Sequence, residues 1–167
     1  MKRPKAVGIQ YAALPYRLVG RRVEILLITS RDTRRWVIPK GWPMQRLKPQ
    51  DAAAVEAFEE AGITGAIEDK PIGSYRYMKK LKADQVVAVQ VIVFPLMVET
   101  QVEAWKEQGQ REAGWFRYQR AATLVAELSL RRLIRDFGKA RTPSVLPAGM
   151  LDHRAVRWSR SLFWPQR

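Results

Sequence analysis

Residues 41–63, GWPMQRLKPQDAAAVEAFEEAGI, constrain the fold of this chain more than any other stretch. A loop carrying Pro43 and Pro49 leads into a run without proline or glycine that stops at Gly62. Proline is tolerated at a first helical position, Asp51 suits the positive end of the helix dipole, and glycine closes helices in the left-handed conformation. The spacing therefore predicts a helix with both ends marked. At about 100° per residue, Glu56, Glu59 and Glu60 fall within about 100° of one another, with Ala54, Ala57, Phe58 and Ala61 opposite. One acidic face and one core face are expected. Like charges three and four positions apart repel, and no lysine or arginine is interleaved among these acids, so the arrangement asks for a cation from elsewhere. Mg²⁺ is the natural candidate.

The cation must be a hard one on oxygen ligands, because the chain has no cysteine and a single histidine, His153. That composition excludes disulfides, thiol nucleophiles, Cys/His zinc sites and Ser-His-Asp chemistry. A length of 167 residues with 47% hydrophobic content suits one packed domain. The longest apolar run, residues 86–98, is interrupted by Gln90 and Pro95 and falls short of the ~20 residues of a membrane helix. It reads as a buried strand. Gln10 and Pro15 break the apolar N-terminal stretch where a signal peptide would need continuity, so a cytoplasmic location is expected.

Thirty Lys and Arg against sixteen Asp and Glu give a formal charge of +14. An excess of that size favours polyanionic partners: nucleotides, polyphosphates, nucleic acid or an anionic membrane surface. The charge alone does not choose among them.

Residues 6–18 and 23–29 read as two strands of a hairpin turning at Gly20, and 36–38 as a short extended piece. Residues 73–80 and 86–98 read as two long strands and 114–117 as a further short one. Ser129 is placed to cap a helix in which Leu130, Leu133, Ile134 and Phe137 recur at helical spacing, with Gly138 closing it. The order of elements is mixed, an α+β pattern. From Arg141 onward the periodicity is lost, which divides the chain into a domain over 1–140 and an extension over 141–167.

The spacing of the 41–63 segment resembles the Nudix signature, which runs glycine, five positions, Glu, seven positions, Arg-Glu, an aliphatic, one position, Glu-Glu, one position, glycine and an aliphatic. Gly41, Glu56, Glu59, Glu60, Gly62 and Ile63 match it, and Ala57 takes the aliphatic position. Leu47 stands in place of the first glutamate and Val55 in place of the arginine. The approach Ile28-Thr29-Ser30-Arg31 and Trp36-Val37-Ile38-Pro39-Lys40-Gly41, with Trp115-Phe116 ahead of a helix near Ala121-Ala122, is similar to the diphosphoinositol polyphosphate and diadenosine polyphosphate hydrolase branch. The resemblance covers about residues 6 to 138 and implies a mixed β-sheet between helices, an α/β/α sandwich.

It also implies hydrolysis of a diphosphate linkage in a nucleoside diphosphate derivative, a diadenosine polyphosphate or an inositol pyrophosphate-like polyanion. Glu59 and Glu60 would ligate Mg²⁺ or Mn²⁺, and Glu56 would ligate a further ion or accept a proton from the attacking water. Relatives draw an additional acid from a loop or strand end, for which Glu99, Glu103, Glu107 and Glu112 are placed, Glu107 and Glu112 first. If uncompensated, the losses at 47 and 55 each cost on the order of a few kcal/mol of transition-state stabilisation, or ~10² to 10³ in rate. The other reading is a degenerate domain of the same family that binds a nucleotide, polyphosphate or RNA without efficient hydrolysis.

For the polyanion, Ser30, Arg31, Lys40, Gly41, Arg76, Lys79 and Lys80 lie where the resemblance places the cleft. Tyr75 and Tyr77 alternate with Ser74, Arg76 and Met78, so one set faces the core and the other faces outward. Lys79, Lys80 and Lys82 are either a phosphate clamp or a solvated turn. The extension, with Arg154, Arg157, Trp158, Arg160, Phe163, Trp164 and Arg167, mixes cations with aromatics as single-stranded nucleic-acid and membrane-surface segments do, and suits equally well packing on its own domain or in a homodimer.

Overall fold

The structure is a computed structural model that describes residues 8–81 and 85–144. Strands β1 (Gly8–Val19) and β2 (Arg22–Thr29) form the expected hairpin, with Val19 opposite Arg22 and Gly20 turning the chain at φ 61°. Then follow β3 (Trp36–Val37), β4 (Lys40–Gly41), α1 (Pro49–Ala61), β5 (Ile63–Ile67), β6 (Gly73–Lys80) and β7 (Val86–Gln101). The chain continues through β8 (Ala113–Arg117), α2 (Tyr118–Leu124) and α3 (Leu128–Arg141). All strands join one sheet along the path β3-β2-β1-β7-β5, with β4 added to β1, β6 to β7 and β8 to β2. β1 and β7 run parallel and the other pairs antiparallel, so the sheet is mixed.

Alternation along the central strands makes two cores. Ala12, Leu14 and Tyr16 of β1, Val23, Ile25 and Leu27 of β2, and Val89, Val91 and Val93 of β7 meet α2 and α3 through Ala121, Leu130, Ile134 and Phe137. Their neighbours Ala13, Leu26, Ile28, Phe94 and Leu96 meet α1 through Ala53, Ala57 and Ala61. Burial on both faces explains why these strands read as continuous apolar runs. The result is the α/β/α sandwich, with α1 alone on one side.

Several local expectations are corrected. Ser129 is not the N-cap of α3; Glu127 takes that position in extended backbone, and Ser129 lies inside the first turn. Gly138 does not end α3, which continues to Arg141, because the missing Cβ at 138 makes room for the Tyr118 ring rather than for a turn. Strands β4 and β5 escaped a propensity reading: β4 is only two residues, and β5, ITGAI, is extended because β7 pairs with it. No helix among the described residues is long and apolar enough to cross a membrane. The aromatic and basic residues read from the tail, with Lys82 and His153, lie outside the described residues.

Candidate active site

The signals at 49 and 62 do what they predict. Pro49 opens α1, and Gly62, at φ 67°, closes it with its N–H donating to the Phe58 carbonyl at 2.9 Å. The expected split between an acidic and a core face does not hold. Glu60 is buried with Ala53, Ala57 and Ala61, whereas Phe58 is 41% exposed. Ala53 and Glu60 are seven positions apart and share one face, and that face turns toward β1 and β4, so the acid goes in with the alanines.

Strand β4 delivers the rest of the site. It pairs with β1 so that Lys40 lies opposite Ala12 and Gly41 opposite Tyr11, which places their neighbourhoods on opposite faces of the sheet. On the α1 face the Glu56 carboxylate lies directly against Gly41, in space a Cβ there would occupy. The Lys40 backbone N–H donates to Glu60 Oε2 at 3.0 Å. On the other face the Lys40 ammonium sits 5.4 Å from the Tyr77 ring centroid, and Tyr77 donates its hydroxyl to Gln10 at 2.7 Å. Lys79 likewise lies 5.0 Å from the ring of Trp42.

Cations reach the acids from the loop of residues 102–112. Arg111 is almost fully buried: Nη2 donates to Glu60 Oε1 at 2.5 Å, Nε to Glu107 Oε2 at 2.7 Å and Nη1 to the Thr29 carbonyl at 3.0 Å. Lys106 donates to Glu59 Oε2 at 2.8 Å, and Arg31 approaches Glu107 at 3.4 Å. The Glu107 N–H donates to the Glu59 carbonyl, and Trp105 packs on Gly62 with its buried Nε1 unpaired among the described residues.

The electrostatics follow from this crowding. Burial, then the charges of Glu60, Glu59 and Glu107, push the Glu56 carboxyl up to about 7. Burial also raises Glu60, against the pull of Arg111 and Lys40. The Lys40 ammonium is lowered by burial although Glu60 opposes the shift, and Tyr77 is pushed up to about 12, chiefly by burial. Acids that raise one another's proton affinity are short of positive charge.

An all-carboxylate donor set fits a hard divalent ion, and Glu56 has no hydrogen bond or ion pair among the described residues. As the side chains stand, no three acids of the described residues close around a common point at metal-holding distance. Arg111 and Lys106 hold oxygens of Glu60 and Glu59 that an ion would use.

Of the acids expected from sequence, Glu56, Glu59, Glu60 and Glu107 are brought together. Glu112 is not: it is exposed, pairs with Arg34 at 2.7 Å, and gives its N–H to Thr29 Oγ1. Among the polyanion candidates, Lys40 and Lys79 share the α2–α3 face with Tyr77, while alternation along β6 sends Arg76 and Lys80 to the other face. Tyr75 is buried in the core. The Ser30 hydroxyl is taken up inside its own turn by Thr33. Arg111 and Lys106 escaped the sequence reading. The Glu107–Arg111 spacing of four was the available signal, and it is a common surface pattern.

A mixed sheet between helices, with a glutamate-bearing helix folded back onto a glycine at the end of a short strand, is the architecture of one known class of phosphate-handling domain. The chain belongs to the NUDIX domain family, whose profile matches residues 10–137. Nudix hydrolase 18, mitochondrial, of Arabidopsis thaliana is 29% identical over 116 residues, 65% of this chain and 63% of that protein. Diphosphoinositol polyphosphate phosphohydrolase 3-alpha of Mus musculus is 30% identical over 108 residues, 63% of this chain and 62% of that one. This chain thus matches less than two thirds of the length of either relative. The crystal structure of the C. elegans Ap4A hydrolase shares the fold, with a TM-score of 0.59 at 20% identity over 80% of this chain and 98% of that one.

Proposed function

We propose that this chain hydrolyses a diphosphate linkage, using a divalent cation, Mg²⁺ or Mn²⁺, held by Glu56, Glu59 and Glu60. The substrate class is a nucleoside diphosphate derivative, a diadenosine polyphosphate or an inositol pyrophosphate-like polyanion. One observation carries the reading: Glu59, Glu60 and Glu107 lie near enough to Glu56 to raise its proton affinity, at a strand end whose opposite face holds Lys40 and Lys79 beside aromatic rings. The acids suit a hard divalent ion, and the ammonium groups suit a phosphate chain that reaches that same ion around the strand end.

In this reading a water oxygen attacks one phosphorus, the bridging P–O bond breaks, and the departing phosphate keeps the electron pair. A divalent ion held by Glu56, Glu59 and Glu60 would supply the positive charge that the phosphates need. Glu56, which has no hydrogen bond or ion pair among the described residues, either holds a further cation or accepts the proton that water releases. Gly41 lets the Glu56 carboxylate lie against the backbone, and the Lys40 N–H fixes Glu60. Lys40 and Lys79 hold the polyanion, and the protein works in the cytoplasm.

Phosphate release from a panel of diphosphate compounds with Mg²⁺ or Mn²⁺, compared with Glu59→Gln and Glu60→Gln, tests the proposal. Release from the wild type alone supports it; release no greater than that of the two variants sinks it. The second reading, a domain that binds such a ligand without hydrolysing it, is favoured by Val55 and by the ion pairs already formed at Glu59 and Glu60. It predicts ligand binding with no release.

A further inference from the structure

We infer that the loop of residues 102–112 is an internal counter-ion clasp, in which Arg111 competes with the divalent metal for Glu60 and Glu107 and so sets the metal concentration at which the site fills. The inference rests on the metal-dependent reading above.

Burial comes first. Arg111, Glu60 and Glu107 have side-chain exposures of 8%, 10% and 13%, and buried charges persist only when compensated. Without a metal, the guanidinium supplies that compensation. Its Nη2 takes Glu60 Oε1, its Nε takes Glu107 Oε2, and its Nη1 takes the Thr29 carbonyl. The other Glu60 oxygen is engaged by the Lys40 N–H. An ion entering between Glu60 and Glu107 therefore meets a fixed positive charge and acceptors already in use.

The same loop brings Lys106 to Glu59, so two of the three helix acids are met by cations of one segment, and Glu56 is left without a partner among the described residues. The segment holds this pose although the buried Trp105 Nε1 has no partner among the described residues. An unsatisfied buried donor costs stability, so the Arg111 and Lys106 contacts must offset it. Lys106 is 66% exposed and solvent-screened, which makes Arg111 the dominant competitor.

The test is a Mn²⁺ titration of the 167-residue chain by electron paramagnetic resonance, with folding of each variant checked by circular dichroism. Removing a buried cation next to an ion site is expected to tighten Mn²⁺ binding roughly tenfold or more in Arg111→Met, and about twofold in Lys106→Met. Arg111→Lys, which keeps the charge, is expected to stay within about threefold of wild type. Equal or weaker binding in folded Arg111→Met overturns the inference, leaving Arg111 as a structural support.

A second measurement is made on the wild type and needs only the charge-conserving Arg111→Lys, for assignment, and not a folded Arg111→Met. The Arg111 Nε–H resonance, assigned by its loss in Arg111→Lys, is expected to be protected from exchange without metal and to lose that protection as Mg²⁺ saturates the site. A resonance unmoved by saturating Mg²⁺ overturns the competition. If the wild type binds no Mn²⁺ at all, the metal-dependent function itself fails and this inference with it, whereas metal binding that ignores Arg111 sinks only the clasp.

Discussion

The Glu56 carboxylate rests on the backbone of Gly41, fifteen positions earlier in the chain, with no room between them for a methyl group. This contact joins the start of the Nudix segment to its helix. It explains the glycine by close approach, since residue 41 is not in a left-handed conformation. Gly41→Ala is expected to push the Glu56 side chain aside while α1 remains. If Glu56 has the role proposed for it, a displacement near 1 Å there is expected to lower the rate about 10²-fold. Steady-state hydrolysis alongside circular dichroism checks this, and full activity in Gly41→Ala refutes it.

The raised Glu56 carboxyl sets a pH dependence of stability in the metal-free protein. Its proton is held up to about 7 in the folded state, against an ordinary value of 4.5. Below 4.5 both states are protonated and the group is neutral; between 4.5 and 7 the unfolded chain ionises first and stability falls; above 7 the loss is complete. Glu56→Gln removes this loss, so the variant is expected to gain on wild type by about 1 kcal/mol between pH 5 and pH 8, allowing for solvent screening. Urea unfolding in EDTA at the two pH values measures it, and an equal difference at both rejects it.

Gly62 combines a left-handed φ of 67° with a face covered by the Trp105 ring. Gly62→Ala adds the strain of that conformation to an overlap with the indole, at a combined cost of about 2–4 kcal/mol. Because Trp105 belongs to the loop carrying Lys106 and Arg111, the substitution is also expected to raise hydrogen exchange across residues 102–112. Exchange there equal to wild type counts against the coupling.

Arg141, the last residue of α3, donates to Glu68 at 2.6 Å and to the Tyr16 hydroxyl at 3.1 Å, with its guanidinium 5.0 Å from the Phe137 ring centroid. It ties α3 to β1 and to the segment after β5. Arg141→Ala is expected to cost about 1–2 kcal/mol, read by denaturant midpoint. Chains ending at 144 and at 140 should differ by at least that amount, since Thr142 and Pro143 carry further contacts, and equal midpoints reject the anchor.

The sequence by itself determined features whose signals are local. Helix α1 ends where Pro49 and Gly62 say it should, the β1–β2 hairpin turns at Gly20, and Leu130, Ile134 and Phe137 enter the core at helical spacing. The phase of a helix puts Glu56, Glu59 and Glu60 on adjoining positions whatever surrounds them. What surrounds them was decided by tertiary structure. Glu60 is buried because β4 pairs with β1 and draws that face of α1 inward, and pairing between short strands leaves no period to read. Glu107 joins the cluster and Glu112 leaves it because one faces α1 and the other faces Arg34. Arg111 meets Glu60 across 51 positions of sequence. No local pattern encodes that meeting, because the burial that makes a single arginine consequential exists only once the sheet and α1 have closed around it.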